Sequence, residues 1–150
     1  MEDPIEIEIA IEEPKHAEGL HVLGVNRIEL CANLNEGGLT PTFGQARETV
    51  AATPIPVYAM LRPRPGNFTY FLSEKNQMLL DLDMLAKAGV GGIVVGALTR
   101  DKQLDERFIQ LIVDRAKQYN LGITFHRAFD VCVNPKETLN QLVGLGIERI

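Results

Sequence analysis

Five times in 150 residues a short apolar segment is followed by a longer amphipathic one, and each amphipathic segment gives out at or near a glycine or proline. No other feature limits the fold so tightly. Parallel strands cannot be joined by a tight turn and need a crossover, most often a helix, so a strand–helix recurrence specifies a parallel α/β sheet. Taken in order, the alternating Ile5–Ile11 reads as a first strand, with Glu6, Glu8 and Ala10 on one face. Pro14 opens a helix that runs to about Leu23 and stops at Gly24. The segment from Val25 to Cys31 is a second strand, and a loop rich in glycine and proline leads to a short helix ending at Ala52. Ile55–Arg62 is a third strand, followed by a helix that Ser73 caps and Gly89 ends. Gly92–Ala97 is a fully apolar fourth strand, and Asp105 caps the helix carrying Phe108, Leu111, Ile112 and Ala116. Gly122–His126 is the fifth strand, Asn134-Pro135-Lys136-Glu137 opens the next helix as a capping box, and Gly146–Ile150 begins a sixth strand.

Leu23-Gly-Val-Asn-Arg-Ile28 echoes Leu145-Gly-Ile-Glu-Arg-Ile150, each a helix-ending glycine followed by a strand. Repeated units of this kind fit a TIM (β/α)8 barrel better than a doubly wound sheet. Such a barrel needs eight units in at least about 200 residues. The chain therefore reads as one domain over residues 1–150, a partial barrel of about five βα units plus the start of a sixth strand. The expectation is a barrel incomplete at its C-terminus, or one completed as a homo-oligomer if the chain ends at Ile150.

Composition excludes several classes of partner. The formal charge is −5, and the 15 Lys and Arg are scattered, which argues against nucleic acid. No apolar run approaches the ~20 residues of a membrane span, and Met1-Glu-Asp-Pro is no signal peptide. Two cysteines are too few for a disulfide scaffold, which points to a reducing cytoplasm.

Side-chain alternation then gathers the polar residues. If Ile28 and Leu30 face the helices, Glu29 and Cys31 face the barrel interior. The same parity turns Glu8, Tyr58, Met60, Arg62, Thr124 and His126 inward. Glu29, Cys31, Arg62 and His126 thus meet at the C-terminal mouth, where such barrels carry their sites. Asn33, Arg64, Arg127 and Asp130 follow on the loops. Glu29 and His126 suit acid–base work, while Arg62 and Arg64 suit bidentate clamping of a carboxylate or phosphate. The blander readings are a Glu29–Arg62 ion pair plugging the barrel, a core histidine at 126, and an inert buried Cys31. Cys31, Cys132 and Met60 are also soft donors suited to Cu(I), although no C-x-x-C or H-x-x-x-H spacing supports a preformed metal site. His16 and His21 belong to the surface, and Gly37-Gly38 allows backbone to approach a ligand closely. By residue chemistry alone an anion-binding enzyme site is the stronger reading.

The segments R-I-E-L-C (Arg27–Cys31), E-G-G-L-T-P-T (Glu36–Thr42), R-P-R-P-G-N-F (Arg62–Phe68), T-F-H-R-A-F-D (Thr124–Asp130) and N-P-K-E-T-L (Asn134–Leu139) resemble the CutC family of copper homeostasis proteins. The resemblance implies a cytoplasmic TIM-barrel protein that takes part in copper tolerance and binds or traffics Cu(I), with Cys31 and Cys132 as candidate ligands. It departs from the family at Ala10-Ile11, where members often carry a cysteine, and in lacking the later strands. The expected function is copper homeostasis. The alternatives are a barrel enzyme acting on a small anionic metabolite, with Glu29, Arg62 and His126 as its catalytic groups, and a non-catalytic half-barrel that serves only folding or assembly.

Overall fold

The computed structural model describes residues 5–150, so the expectation for Met1–Pro4 lies outside the described residues. Five parallel strands form one sheet in the order β1 (Glu8–Ile11), β2 (Arg27–Leu30), β3 (Val57–Met60), β4 (Gly92–Val95) and β5 (Gly122–Phe125). Each strand pairs with its sequence neighbour, the pattern in which a barrel winds. The incipient sixth strand is also placed: Arg149 bridges Thr124 in parallel, and the Phe125 N–H donates to the Arg149 carbonyl at 3.0 Å.

Helices α1 (Phe43–Ala52), α2 (Leu72–Ala88), α3 (Glu106–Gln118) and α4 (Pro135–Gly144) follow strands two to five. Their ends obey local chemistry. Thr42 Oγ1 accepts from the Gln45 N–H while Gln45 Oε1 accepts from the Thr42 N–H, a reciprocal cap for α1. Asp105 caps α3 through the Phe108 N–H, and Asn134 caps α4 through the Glu137 N–H. Gly89, at φ +95°, ends α2 in the left-handed conformation that favours glycine.

Two elements depart from the sequence reading. The expected helix from Pro14 to Leu23 is two single 3-10 turns, Pro14–Ala17 and Leu20–Leu23, separated by Gly19 at φ +73°. A left-handed residue cannot continue an α-helix, so the segment breaks there. Helix α2 starts at Leu72 and is not capped by Ser73; the Glu74 carboxylate reaches back to the Phe71 N–H at 2.7 Å.

Apolar side chains divide between the two faces of the sheet. Ile28, Leu30, Ala59, Leu61, Ile93, Val95 and Phe125 pack outward against the helices with Met78, Leu82, Ile109 and Ile112. Leu111, one of the apolar residues that α3 carries, is 54% exposed, because Phe108, Ile109, Ile112, Val113 and Ala116 supply its buried stripe. Cys31, Tyr58, Met60 and Val94 form a separate cluster on the inner face. Tyr58 fills the floor there. Its ring lies across Gly92 and Gly122, where any Cβ would collide with it. The Cζ atoms of Arg27 and Arg149 sit 5.2 and 5.0 Å from the ring centroid. Among the described residues, no helix is long and apolar enough to cross a membrane.

Candidate functional site

The strand ends and their loops enclose a cleft of about 670 Å3 whose lining includes Glu29, Arg62 and His126. Glu29 projects from β2, Arg62 follows β3 and His126 follows β5. Glu8, Glu36, Arg127 and Asp130 add charge to the wall, and Met60, Phe68, Val94 and Phe129 supply apolar surface.

Arg62 is 7% exposed. Its Nη1 donates to the carbonyls of Glu36 (2.8 Å) and Gly38 (3.3 Å), and its Nη2 donates to that of Gly66 (3.0 Å). Thr40 Oγ1 completes the clasp by bonding both the N–H and the carbonyl of Arg62. Two loops are therefore gathered onto one guanidinium, and Gly37 and Gly38 at φ +85° and +88° let the first of them fold down over Arg62 and Cys31. The alternative reading of a Glu29–Arg62 ion pair does not hold, since carbonyls take the terminal nitrogens of the guanidinium. Among the described residues Arg62 has no carboxylate partner. Its charge is buried and unneutralised.

Arg64 does not join Arg62 as a second clamp at this mouth. It lines a separate pocket with Tyr70 and Arg100, held by Glu74 and by the carbonyls of Asn67 (3.0 Å) and Thr69 (2.9 Å). The prolines at 63 and 65 turn the chain between the two arginines. Asn33 also stands apart from the cleft. At φ 55° it is a turn residue whose carbonyl accepts the N–H groups of Glu36 and Gly38. Arg127 and Asp130 stand at the rim as an exposed pair, 3.1 Å apart.

His126 lies over Gly96, where a Cβ would come within 2.6 Å of the imidazole Nδ1. Nδ1 accepts the Ala128 N–H at 3.1 Å, so the proton of the neutral ring sits on Nε2. Burial, aided by the charge of Arg62, pushes the imidazole down to about 4. At neutral pH His126 is thus a neutral hydrogen-bond donor, which does not suit the share of acid–base work expected of it alongside Glu29. Burial raises the Glu29 carboxyl above its ordinary value, the charge of Glu8 adding to the shift against a hydrogen bond from Cys31. A carboxyl raised in this way holds its proton more firmly than an exposed one.

The two cysteines do not meet. Cys31 belongs to the inner cluster beside Met60, with Sγ 3.5 Å from Glu29 Oε1. Cys132 lies in the outer core, its Sγ donating to the Phe129 carbonyl at 3.0 Å. Burial and then the charge of Glu29 push the Cys31 thiol far up, so it holds its proton. Among the described residues no three His, Cys, Asp or Glu side chains are grouped to hold a metal ion. These donors do not make a preformed Cu(I) site.

The sequence reading passed over two contributors, Phe68 and Gly96. Phe68 stacks at 5.0 Å from the His126 ring and 5.2 Å from Arg62 Cζ. Gly96 gives His126 its space. A glycine inside an apolar strand signals a close approach of this kind.

The model of the CutC family matches residues 5–150. A family protein CutC from Vibrio atlanticus (strain LGP32) is 43% identical over 145 residues, covering 97% of this chain and 59% of that one. Another from Pasteurella multocida (strain Pm70) is 40% identical over 149 residues, with coverages of 97% and 59%. The chain thus spans 59% of the length of these curated relatives. A crystal structure from Streptococcus agalactiae, provisionally named a copper homeostasis protein CutC, superposes with a TM-score of 0.87 at 32% identity, covering 98% of this chain and 71% of that one. A phosphonopyruvate hydrolase in complex with oxalate and magnesium shares the fold alone, at TM-score 0.65 and 14% identity, covering 95% of this chain and 56% of that one.

Proposed function

The chain belongs to the CutC family, and from that premise we propose a cytoplasmic protein of the copper homeostasis type whose cleft binds a small carboxylated or phosphorylated metabolite. One observation carries the ligand class. The guanidinium of Arg62 is buried in the cleft wall, its terminal nitrogens bonded to carbonyl dipoles and, among the described residues, matched by no carboxylate. A buried charge without a counter-charge is costly, and an anionic ligand group supplies the missing partner. Glu29, half-buried and raised in pKa, is the group placed to take a proton from such a ligand or return it. His126 presents an N–H and does not act as a base.

Copper enters as cargo. The observation that favours it is that Cys31 Sγ and the Met60 methyl both lie under Gly38, which puts two residues with soft donors in one buried cluster. Cu(I) would have to displace the thiol proton, so uptake through Cys31 would tighten as pH rises.

Calorimetric titration with inorganic phosphate and with oxalate at low salt tests the anion reading. The expected result is saturable binding in the wild type and a loss of at least about tenfold in Arg62→Gln, which removes the charge but keeps an amide donor. Absence of binding at millimolar anion would overturn the reading. In a parallel competition with a Cu(I) chelator, retention lost in Cys31→Ser but kept in Cys132→Ser would favour the copper reading.

A further inference from the structure

The segment after β3 walls two hollows at once. Phe68 lines the cleft, while Asn67, Thr69, Tyr70 and Phe71 line a second cavity of about 310 Å3 together with Arg64 and Arg100. Two guanidiniums thus border one small space outside the cleft. The charge of Arg64 is already matched, because the Glu74 carboxylate accepts from its Nε and Nη2. Glu74 has little left to offer, since its Oε2 also takes the Phe71 N–H at 2.7 Å. Arg100 is different. It is exposed, and among the described residues no carboxylate pairs with it.

The cavity is held in shape from both sides. Thr69 Oγ1 donates to the Thr99 carbonyl at 3.2 Å, and the Leu98 N–H donates to the Phe68 carbonyl at 2.8 Å. The β4 loop is therefore fastened to the β3 loop immediately before Arg100. Arg100 then stands on a closed turn, in which the Lys102 N–H reaches the Thr99 carbonyl (3.0 Å) and the Thr99 N–H reaches that of Gln103 (2.8 Å). Asn67 is oriented too. Its Oδ1 accepts from Arg64 Nη2 (3.3 Å) and from the Thr69 N–H (3.2 Å), which leaves Nδ2 as the unused donor. Of the two aromatic rings, that of Tyr70 has Arg64 Cζ 5.2 Å from its centroid, whereas Phe71 is 70% exposed.

We propose that this cavity is a second binding site, separate from the cleft, for a flat ring that carries a phosphate or carboxylate. Arg100 takes the oxyanion through its paired N–H groups, Asn67 Nδ2 adds a further donor, and the ring lies on Phe71. The charge of Arg100 sets the sign of the ligand. The nearby carboxylate of Glu74 is spent on Arg64 and on the Phe71 N–H, so a cation finds no partner there. The volume sets its size, since about 310 Å3 is at the small end of ligand pockets and admits one ring with one charged group. A lone exposed phenylalanine or arginine is ordinary on a protein surface. Here both border one cavity, beside an amide whose free end is a donor. The site does not depend on the anion reading of the cleft, whose ligand would meet Arg62 instead.

The 15N-labelled protein is titrated at low salt with phenyl phosphate, inorganic phosphate and phenol while the side-chain amide resonances of Asn67 are followed. Wild type, Arg100→Gln, Phe71→Ala and Arg62→Gln are compared. Arg100 and Phe71 are exposed, so their variants keep the fold. The expected result is a saturable shift with phenyl phosphate that weakens at least about tenfold in Arg100→Gln. Phe71→Ala should weaken phenyl phosphate about three- to tenfold and leave inorganic phosphate within about twofold. Phenol alone should bind more weakly than phenyl phosphate, and Arg62→Gln should leave every one of these affinities unchanged. A wild-type protein whose Asn67 resonances do not saturate by about 10 mM phenyl phosphate overturns the proposal. So does a shift that Arg100→Gln leaves intact, or one that Arg62→Gln abolishes, which would put the anion in the cleft. If Phe71→Ala binds phenyl phosphate like the wild type, the ring has no seat and the proposed ligand class falls.

Discussion

The hydrogen-bond partner of one ring nitrogen decides what His126 can do. Because Nδ1 takes the Ala128 N–H, protonating the ring would break that bond and place a second positive charge near Arg62. The folded imidazole therefore titrates at about 4 instead of 6.5. Between those values the unfolded chain binds a proton that the folded chain refuses. Its contribution to stability is complete above 6.5 and is lost as pH falls toward 4, by at most about 3 kcal/mol. Unfolding free energies of wild type and His126→Gln measured across that window should converge or cross as the pH drops. A constant difference would show that the ring is not held neutral. The sequence placed His126 at the mouth correctly by parity but could not give its role, because tautomer and pKa depend on a backbone N–H two residues away. Arg62 is similar: its type suggested a free clamp, yet three loop carbonyls occupy its terminal nitrogens.

At the scale of elements, the inner face of the sheet is shaped by what its glycines leave out. A methyl at Gly96 would come within 2.6 Å of His126 Nδ1 and 2.8 Å of Ala128 Cβ, with no flexible chain end to yield. Gly96→Ala should cost about 1–3 kcal/mol by overpacking and should also remove anion binding. Thermal unfolding together with the phosphate titration checks both. If Gly96→Ala bound phosphate like the wild type, the position of the His126 ring would not matter to the site. The strands and α2 to α4 were legible because their buried positions recur with the periods of two and 3.6 that strand and helix impose. The segment after β1 was not, because one left-handed glycine outweighed an acceptable helical pattern. Tyr58 reaching over Gly92 and Gly122 was hidden for another reason: three strands must be in register before those residues become neighbours.

For the molecule as a whole, α4 is apolar on two sides. It buries Thr138 and Leu142, yet Leu139 and Val143, one turn apart on another side, are 42% and 65% exposed. Val131, Val133 and Ile150 are exposed as well. Apolar surface of this kind drives association. The 150-residue polypeptide is expected to self-associate at micromolar concentration, and a Leu139→Lys/Val143→Lys double variant to sediment as a smaller species. Equal sedimentation of the two would remove α4 as the contact. The Arg62 clasp has a consequence for how such a protein can diversify. Loops at a barrel mouth usually tolerate insertions, but here the carbonyls of Glu36, Gly38 and Gly66 must all arrive at one guanidinium. Lengthening either loop by a residue would unfasten both. New ligand preferences are therefore easier to write into the segments after β4 and β5, which leaves half of the rim open to evolution and half of it closed.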